Sequence, residues 1–235
     1  MGKLPESPKR RGRPGPSGRR SRKSRLRNEY RRLEAFDREY LVDGRTCLAG
    51  IDEVGRGALA GPVVAAAVIL PRDSELFGVT DSKTIDEDDR EALYDEILAK
   101  ASAVGIGIRH ADRIDFENIL NATLVAMGEA LRALEIDCHI VLVDGRDRIE
   151  FSRPVVPVVS GDALSLSIAA ASIVAKVTRD RWMRALHDRH PRYNFLQNKG
   201  YGTKEHIDAI DRHGMITEHR RSFLGKVVAK APMLF

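Results

Sequence analysis

Two apolar runs, Leu48–Ile51 and Val63–Leu70, flank a short segment holding two adjacent acids and three glycines. This unit constrains the fold more than any other stretch of the chain. Short apolar runs bounded by turn residues read as strands buried inside a sheet. The first run leads directly into Asp52 and Glu53, and Gly55–Gly61 forms a glycine-rich turn before the second. The chain therefore opens its core with a strand, a turn and a second strand. Carboxylates that end an apolar strand sit at the rim of a sheet. Neighbouring strand residues point to opposite faces, so only one of the two lines a given site directly.

The pattern after this unit alternates. Helical spacing places Leu93, Ile97 and Ala101 on one face, and Ala103–Arg109 reads as a third strand. Ile114–Leu134 reads as a helix carrying Phe116, Leu120, Leu124, Met127, Leu131 and Leu134. His139–Val143 is a strand that again ends on an acid, Asp144. Val155–Val159 is a last short strand, and Pro157 within it marks a sheet edge. The longest helix runs from about Ala163 to His190, where Pro191 stops it. A glycine-containing loop, Asn198–Thr203, follows. This order predicts a mixed α/β sheet flanked by helices.

The 235 residues suffice for a well-buried core. No apolar run approaches the ~18 residues of a membrane span. The basic N-terminus lacks the apolar stretch of a secretory signal. Cys47 and Cys138 read as two thiols in a reducing cytoplasm, although one disulfide is arithmetically open. The net charge of +5 is unevenly spread. Residues 1–32 hold 13 of the 39 basic residues and 2 of the 34 acids, leaving a mildly acidic body. Residues 1–28, rich in Arg, Lys, Pro, Gly and Ser, predict disorder. That arm reads either as a grip on nucleic-acid phosphates or as a solvated extension. A short helix is expected over 29–43, and residues 29–235 form one domain.

Asp52, Glu53 and Asp144 thus stand at the ends of two strands. Adjacent strands would bring them together, and hard divalent cations favour such oxygen ligands. Each acid alone reads equally as a solvated loop residue. No Ser-His-Asp or Cys-His arrangement competes for the chemistry. Asp162 precedes the long helix, where aspartate is a preferred N-cap. Asp180 lies about five turns further along that helix, roughly 27 Å by helical rise, and is excluded from the cluster.

The segment from Ala49 through Gly55-Arg56-Gly57 to Val64 resembles the opening signature of ribonuclease HII, the bacterial type 2 ribonuclease H family. Further pieces match in order: Asp81-Ser82-Lys83, Ile114–Leu120, Val143–Gly145, Gly161–Asp180, Asn198–Thr203 and His219–Phe223. The resemblance covers about residues 47–225. It implies a ribonuclease H-like domain with a C-terminal helical extension, a monomer acting in the cytoplasm in replication or repair. It implies cleavage of the RNA strand of RNA–DNA hybrids, including single ribonucleotides embedded in duplex DNA, with 5′-phosphate and 3′-hydroxyl products. The implied metal ligands are Asp52, Glu53, Asp144 and Asp162, holding two Mn²⁺ or Mg²⁺ ions. In the family, Gly55, Arg56 and Gly57 would read the ribose 2′-hydroxyl, largely through backbone groups, with Arg56 on the adjacent phosphate. Tyr201 would pack on the sugar of the following deoxynucleotide. Lys83, Lys176, Lys199 and Thr203 are candidate phosphate contacts. One departure stands out: Ser160 occupies a position that is often basic in the family, which implies retuned metal affinity. A junction resolvase or transposase shares such an acidic cluster, and a non-catalytic nucleic-acid binder would share the basic arm. The glycine pair with Tyr201 argues against the first, and the four acids against the second.

Overall fold

The computed structural model describes residues 16–147 and 149–228. Among them, five strands form one sheet: β1 Leu48–Val54, β2 Val63–Ile69, β3 Ala103–Arg109, β4 Ile140–Asp144 and β5 Val155–Val158. Their order is β3-β2-β1-β4-β5. The first three strands run antiparallel, whereas β4 and β5 run parallel to β1. The expected mixed α/β sheet is present, and Pro157 lies on its edge strand.

Strand periodicity divides the core into two layers. Ala49 and Ile51 of β1, Ala65 and Ala67 of β2, and Val141 and Val143 of β4 pack in one apolar cluster with α4, Ile119–Arg132. Val64, Ala66 and Val68 face the other way, against the long helix α5, Leu166–Arg189. Helix α5 is buried along much of its length, as expected of a helix that is apolar around most of its circumference. It lies directly on β1, because a Cβ on Gly50 would come within 2.2 Å of the Ser167 carbonyl carbon. A side chain at Gly50 would lift α5 off the sheet. Helix α2, Glu87–Lys100, packs beside α5. Its start is fixed by Asp86, which accepts a bond from Asp89 N, and by three acids in its first turn.

The C-terminal extension is helical. Helices α6 (Phe195–Asn198), α7 (Lys204–His213) and α8 (Arg221–Val228) gather around the far end of α5. Leu59, Met183, Leu186, Tyr193, Phe195, Ala209 and Ile210 form a separate apolar cluster there. Cys47 and Cys138 are free thiols. No described helix is long and apolar enough to cross a membrane.

The structure departs from the sequence expectations at three places. The helix expected over 29–43 is α1, Pro16–Glu39, and it starts well inside the segment expected to be disordered. Residues 1–15 lie outside the described residues. Composition alone misjudges residues 16–28, because Arg and Lys are good helix formers once the downstream half is docked. That half buries Tyr30 and Leu33 in the core. Second, the single helix expected over Ile114–Leu134 is two: α3, Ala111–Glu117, and α4. Asn118 breaks it with φ +67°, and its side chain caps α4 by accepting from Asn121 N. The offset leaves Phe116 84% exposed and Leu120 partly so. Third, the long helix begins at Leu166 and is preceded by a 3₁₀ turn, Gly161–Ala163.

Candidate active site

β1 runs past the expected end at the acids to Val54, so Asp52 lies inside it, and register brings Asp52 together with Asp144, the last residue of β4. Ile51 pairs with Val143 in the parallel β1–β4 ladder, so Asp52 and Asp144 follow side by side. Ile51 and Val143 both face α4. Alternation therefore turns Asp52 and Asp144 to the opposite face, under the start of α5. Glu53, one residue on, points away from Asp52 and toward the strand's open end, where it meets Arg56.

Asp162 reaches the cluster by a different route. The N-cap of α5 is Ser165, whose hydroxyl accepts from Ile168 N, so Asp162 is not the helix cap. It sits in the 3₁₀ turn, which is tied to the cluster by a 2.6 Å bond from Gly161 N to Asp144 Oδ1. Ser160 enters this turn in the left-handed conformation, φ +57°.

The electrostatics are those of crowded acids. Burial pushes the Asp52 carboxyl well above the usual carboxylate range, and the charges of Glu53 and Asp144 push it further. Ser172 and the backbone N–H of Glu53 oppose that rise by hydrogen bonding. Burial also raises Glu53 against the pull of the Arg56 guanidinium. Burial raises Asp162, and Asp144 adds to it. Among the described residues, neither Asp52 nor Asp144 has an ion-pair partner. Lys83 Nζ lies 3.6 Å from Asp162 Oδ2 on a largely exposed side chain. Four carboxylates, of which only Glu53 and Asp162 have a cationic partner, fit a divalent cation, which would relieve their mutual repulsion. Among the described residues no three His, Cys, Asp or Glu side chains are placed so that they could hold one metal ion together.

Beside the acids stands a loop assembly. Gly55 has φ +94°, and a Cβ there would meet the Arg179 side chain at 2.3 Å. Only glycine lets the chain turn against that guanidinium. Arg56 Nη1 binds Glu53 at 3.2 Å and Asp147 at 2.7 Å. Leu59 N and Ala60 N both donate to Gly200 O, which joins this loop to the segment bearing Tyr201. Tyr201 is 38% exposed and lies over the Arg179 guanidinium, 5.4 Å from ring centre to Cζ. It is a surface ring, as its glycine neighbours suggested.

Two buried arginines hold this assembly from behind. Arg179 donates to Pro62 O, Lys199 O and Ala60 O, at 2.8–3.1 Å. Arg220 donates to Gly61 O and Arg56 O. Both guanidiniums are buried and bound to carbonyls, not carboxylates.

Comparison with known proteins decides the family. The ribonuclease HII family model matches residues 49–226. The chain belongs to the ribonuclease HII family. It is 49% identical over 203 residues to the ribonuclease HII of Geobacillus kaustophilus, covering 86% of this chain and 78% of that one. The ribonuclease H2 structure from Pyrococcus horikoshii superposes with a TM-score of 0.66 at 23% identity, covering 79% of this chain and all of that one. A structure of Bst-RNase HIII in complex with Mn²⁺ gives a TM-score of 0.59 at 20% identity, covering 79% and 71%. Both show the same ribonuclease H-like fold. A ribonuclease HII is a ribonuclease H, a hydrolase.

Within that family frame, several candidate phosphate contacts also have intramolecular partners in this chain. Lys176 pairs with the buried Asp180 at 2.6 Å, which also accounts for the acid excluded from the cluster. Thr203 caps α7 by accepting from His206 N. The Lys199 carbonyl serves Arg179. The sequence reading assigned no role to Ser82 and Ser172, whose hydroxyls lie 2.9 Å apart beside Asp52. It also missed Arg179 and Arg220. A signal for Arg179 existed: it lies four residues after Ala175 and four before Met183, a charge in a buried stripe.

Proposed function

We propose that this ribonuclease HII hydrolyses the RNA strand of RNA–DNA hybrids and also cuts at single ribonucleotides embedded in duplex DNA. Asp52, Glu53, Asp144 and Asp162 would hold two divalent ions, Mn²⁺ or Mg²⁺. Such ions supply an activated water and stabilise the departing 3′-oxygen, giving 5′-phosphate and 3′-hydroxyl ends. The structure of Bst-RNase HIII in complex with Mn²⁺ supports the choice of metal.

The observation that carries the reading is the placement of Gly55–Gly57 directly after β1, next to Asp52 and Asp144. Backbone groups of this loop would meet the 2′-hydroxyl, which alone distinguishes RNA from DNA at such a site. Tyr201, hydrogen-bonded through Gly200 to the same loop, would stack on the next sugar. Lys83 would contact a phosphate near Asp162. Arg56 reaches a phosphate by leaving Asp147. The enzyme would work as a cytoplasmic monomer in replication or repair, with the basic residues of 1–28 adding a salt-sensitive grip on phosphates.

The test uses three duplexes: an RNA–DNA hybrid, DNA with one embedded ribonucleotide, and all-DNA. The first two should be cut only with Mn²⁺ or Mg²⁺ present, and the third not at all. Cleavage of the all-DNA duplex would favour a junction resolvase-like activity, and metal-independent cleavage would remove the carboxylate account.

A further inference from the structure

The strongest unassigned feature lies outside the region that matches the family model. Helix α1 precedes residue 49, where that match begins. Yet α1 reaches the turn that carries Asp162. Asp37, 6% exposed, accepts from the Ser165 hydroxyl, from Ser167 N at 2.9 Å and from the Ser167 hydroxyl at 2.8 Å. Arg32 Nη2 donates to Ala163 O at 2.7 Å. The residue directly after Asp162, and the cap and second residue of α5, are therefore held by one helix.

This arrangement has a physical logic. Asp37 places a carboxyl at the N-terminus of α5, where the Ser165 and Ser167 bonds, free N–H groups and the helix dipole favour its charged form against the burial that raises its pKa. Its two oxygens take three bonds, so the α5 N-terminus is fixed in direction as well as position. On the other side, Gly50 lets the same turn of α5 lie against β1, two residues from Asp52. The first turn of α5 is thus clamped between β1, which carries Asp52, and α1, while the Asp162 turn before it is tied to α1 by the Arg32–Ala163 bond and to β4 through Asp144. Without α1, the bond from Gly161 N to Asp144 would remain, but the turn would lose its outer support.

We infer that α1 is a positioning element of the metal site, with Asp37 and Arg32 setting the place of Asp162 through Ser165, Ser167 and Ala163. This inference rests on Asp162 being a metal ligand as proposed above. Partners in the outer shell of a metal site commonly change affinity by about 10–100-fold when removed. Asp37→Ala should weaken Mn²⁺ binding by about tenfold, and Arg32→Ala by a smaller factor. Arg32→Lys should restore part of the loss. KM for duplex should stay near the wild-type value while kcat at fixed metal falls.

The experiment is a calorimetric Mn²⁺ titration of the full chain carrying Asp37→Ala, Arg32→Ala, Asp162→Asn and each combination with Asp162→Asn. Positioning through Asp162 predicts non-additivity: once Asp162→Asn is present, Asp37→Ala and Arg32→Ala should change Mn²⁺ affinity no further. Equal effects in both backgrounds would overturn the inference, as would wild-type affinity in both single α1 variants. Arg32 is a surface residue, so its variant stays informative if Asp37→Ala folds poorly. If Asp162→Asn alone leaves Mn²⁺ binding unchanged, the ligand assignment fails instead, and the two failures are told apart.

Discussion

The acidic end of the sheet and the loop assembly beside it both bury charge, but they treat it in opposite ways. Asp52, Glu53 and Asp162 are crowded carboxylates whose pKa values rise through burial and, in each case, through the neighbouring Asp144 charge. Arg179 and Arg220 are buried cations whose hydrogens are taken up by the carbonyls of Arg56, Ala60, Gly61, Pro62 and Lys199. A buried charge left uncompensated is a binding site in waiting. One saturated by backbone acceptors is scaffold. The difference separates residues that would hold ions from residues that hold the Gly55–Gly61 loop in place.

Substitutions can break this contrast. The largest effect should come from the acidic end. Asp144→Asn should lower kcat by on the order of 10²–10³-fold, the scale of losing one transition-state charge contact, while duplex binding persists. Gel-shift and single-turnover cleavage on an embedded-ribonucleotide duplex would measure both. Wild-type cleavage by this variant would remove Asp144 from the site.

Arg179→Ala should act through the scaffold. Three carbonyls would lose their donor, at about 1 kcal/mol or more each, so a loss of about 3 kcal/mol is expected. That corresponds to a fall of roughly 6–12 °C in Tm for a chain of this size. Mn²⁺ affinity should stay near wild type, whereas KM on the embedded ribonucleotide rises. A large fall in Mn²⁺ affinity would mean that the two regions are not separable.

Acid should act on the two ends with opposite sign. Burial, and after it the neighbouring His206, holds His219 down at about 4, below its ordinary 6.5. His219 Nδ1 accepts from Ile216 N, so its remaining proton lies on Nε2, toward His206 Nε2 at 3.1 Å. His206 Nδ1 then donates to Tyr201 O. Between pH 6.5 and about 4 the unfolded chain binds a proton at this position that the folded chain does not. Stability from this pair is therefore lost as pH falls through that window. The raised carboxylates have the reverse linkage, because folding favours their protonated form and their contribution is lost as pH rises. Amide exchange at 198–203, corrected for intrinsic rates, should accelerate at pH 5 relative to pH 7.5. His219→Asn should flatten that dependence, and an unchanged slope would contradict the assignment.

Much of the fold was legible because it rests on periodicity. Leu48, Val63 and Ala103 each begin a strand where the apolar pattern starts, and Pro157 marked the edge. Asp144 was legible as a strand end, whereas Asp52, expected to end its strand, lies inside β1, which continues to Val54. Their shared face was not legible, because it depends on the Ile51–Val143 register, which is a long-range pairing. Asp162 looked like a helix cap because Asp suits that role, but Ser165 three residues later takes it. The break at Asn118 was hidden inside a helical apolar pattern, since one residue in the left-handed region shifts phase without changing composition. Arg179 showed only as a charge in a buried stripe and Arg220 not at all, because their partners are backbone carbonyls, which leave no mark in a sequence.

The most direct test of the central claim is Mn²⁺ binding to the wild-type protein and to Asp52→Asn, measured by calorimetry without nucleic acid. The account predicts saturable binding by the wild type, and a loss from Asp52→Asn exceeding the about 10–100-fold associated with an outer-shell partner. Equal Mn²⁺ affinity in the two proteins would contradict it.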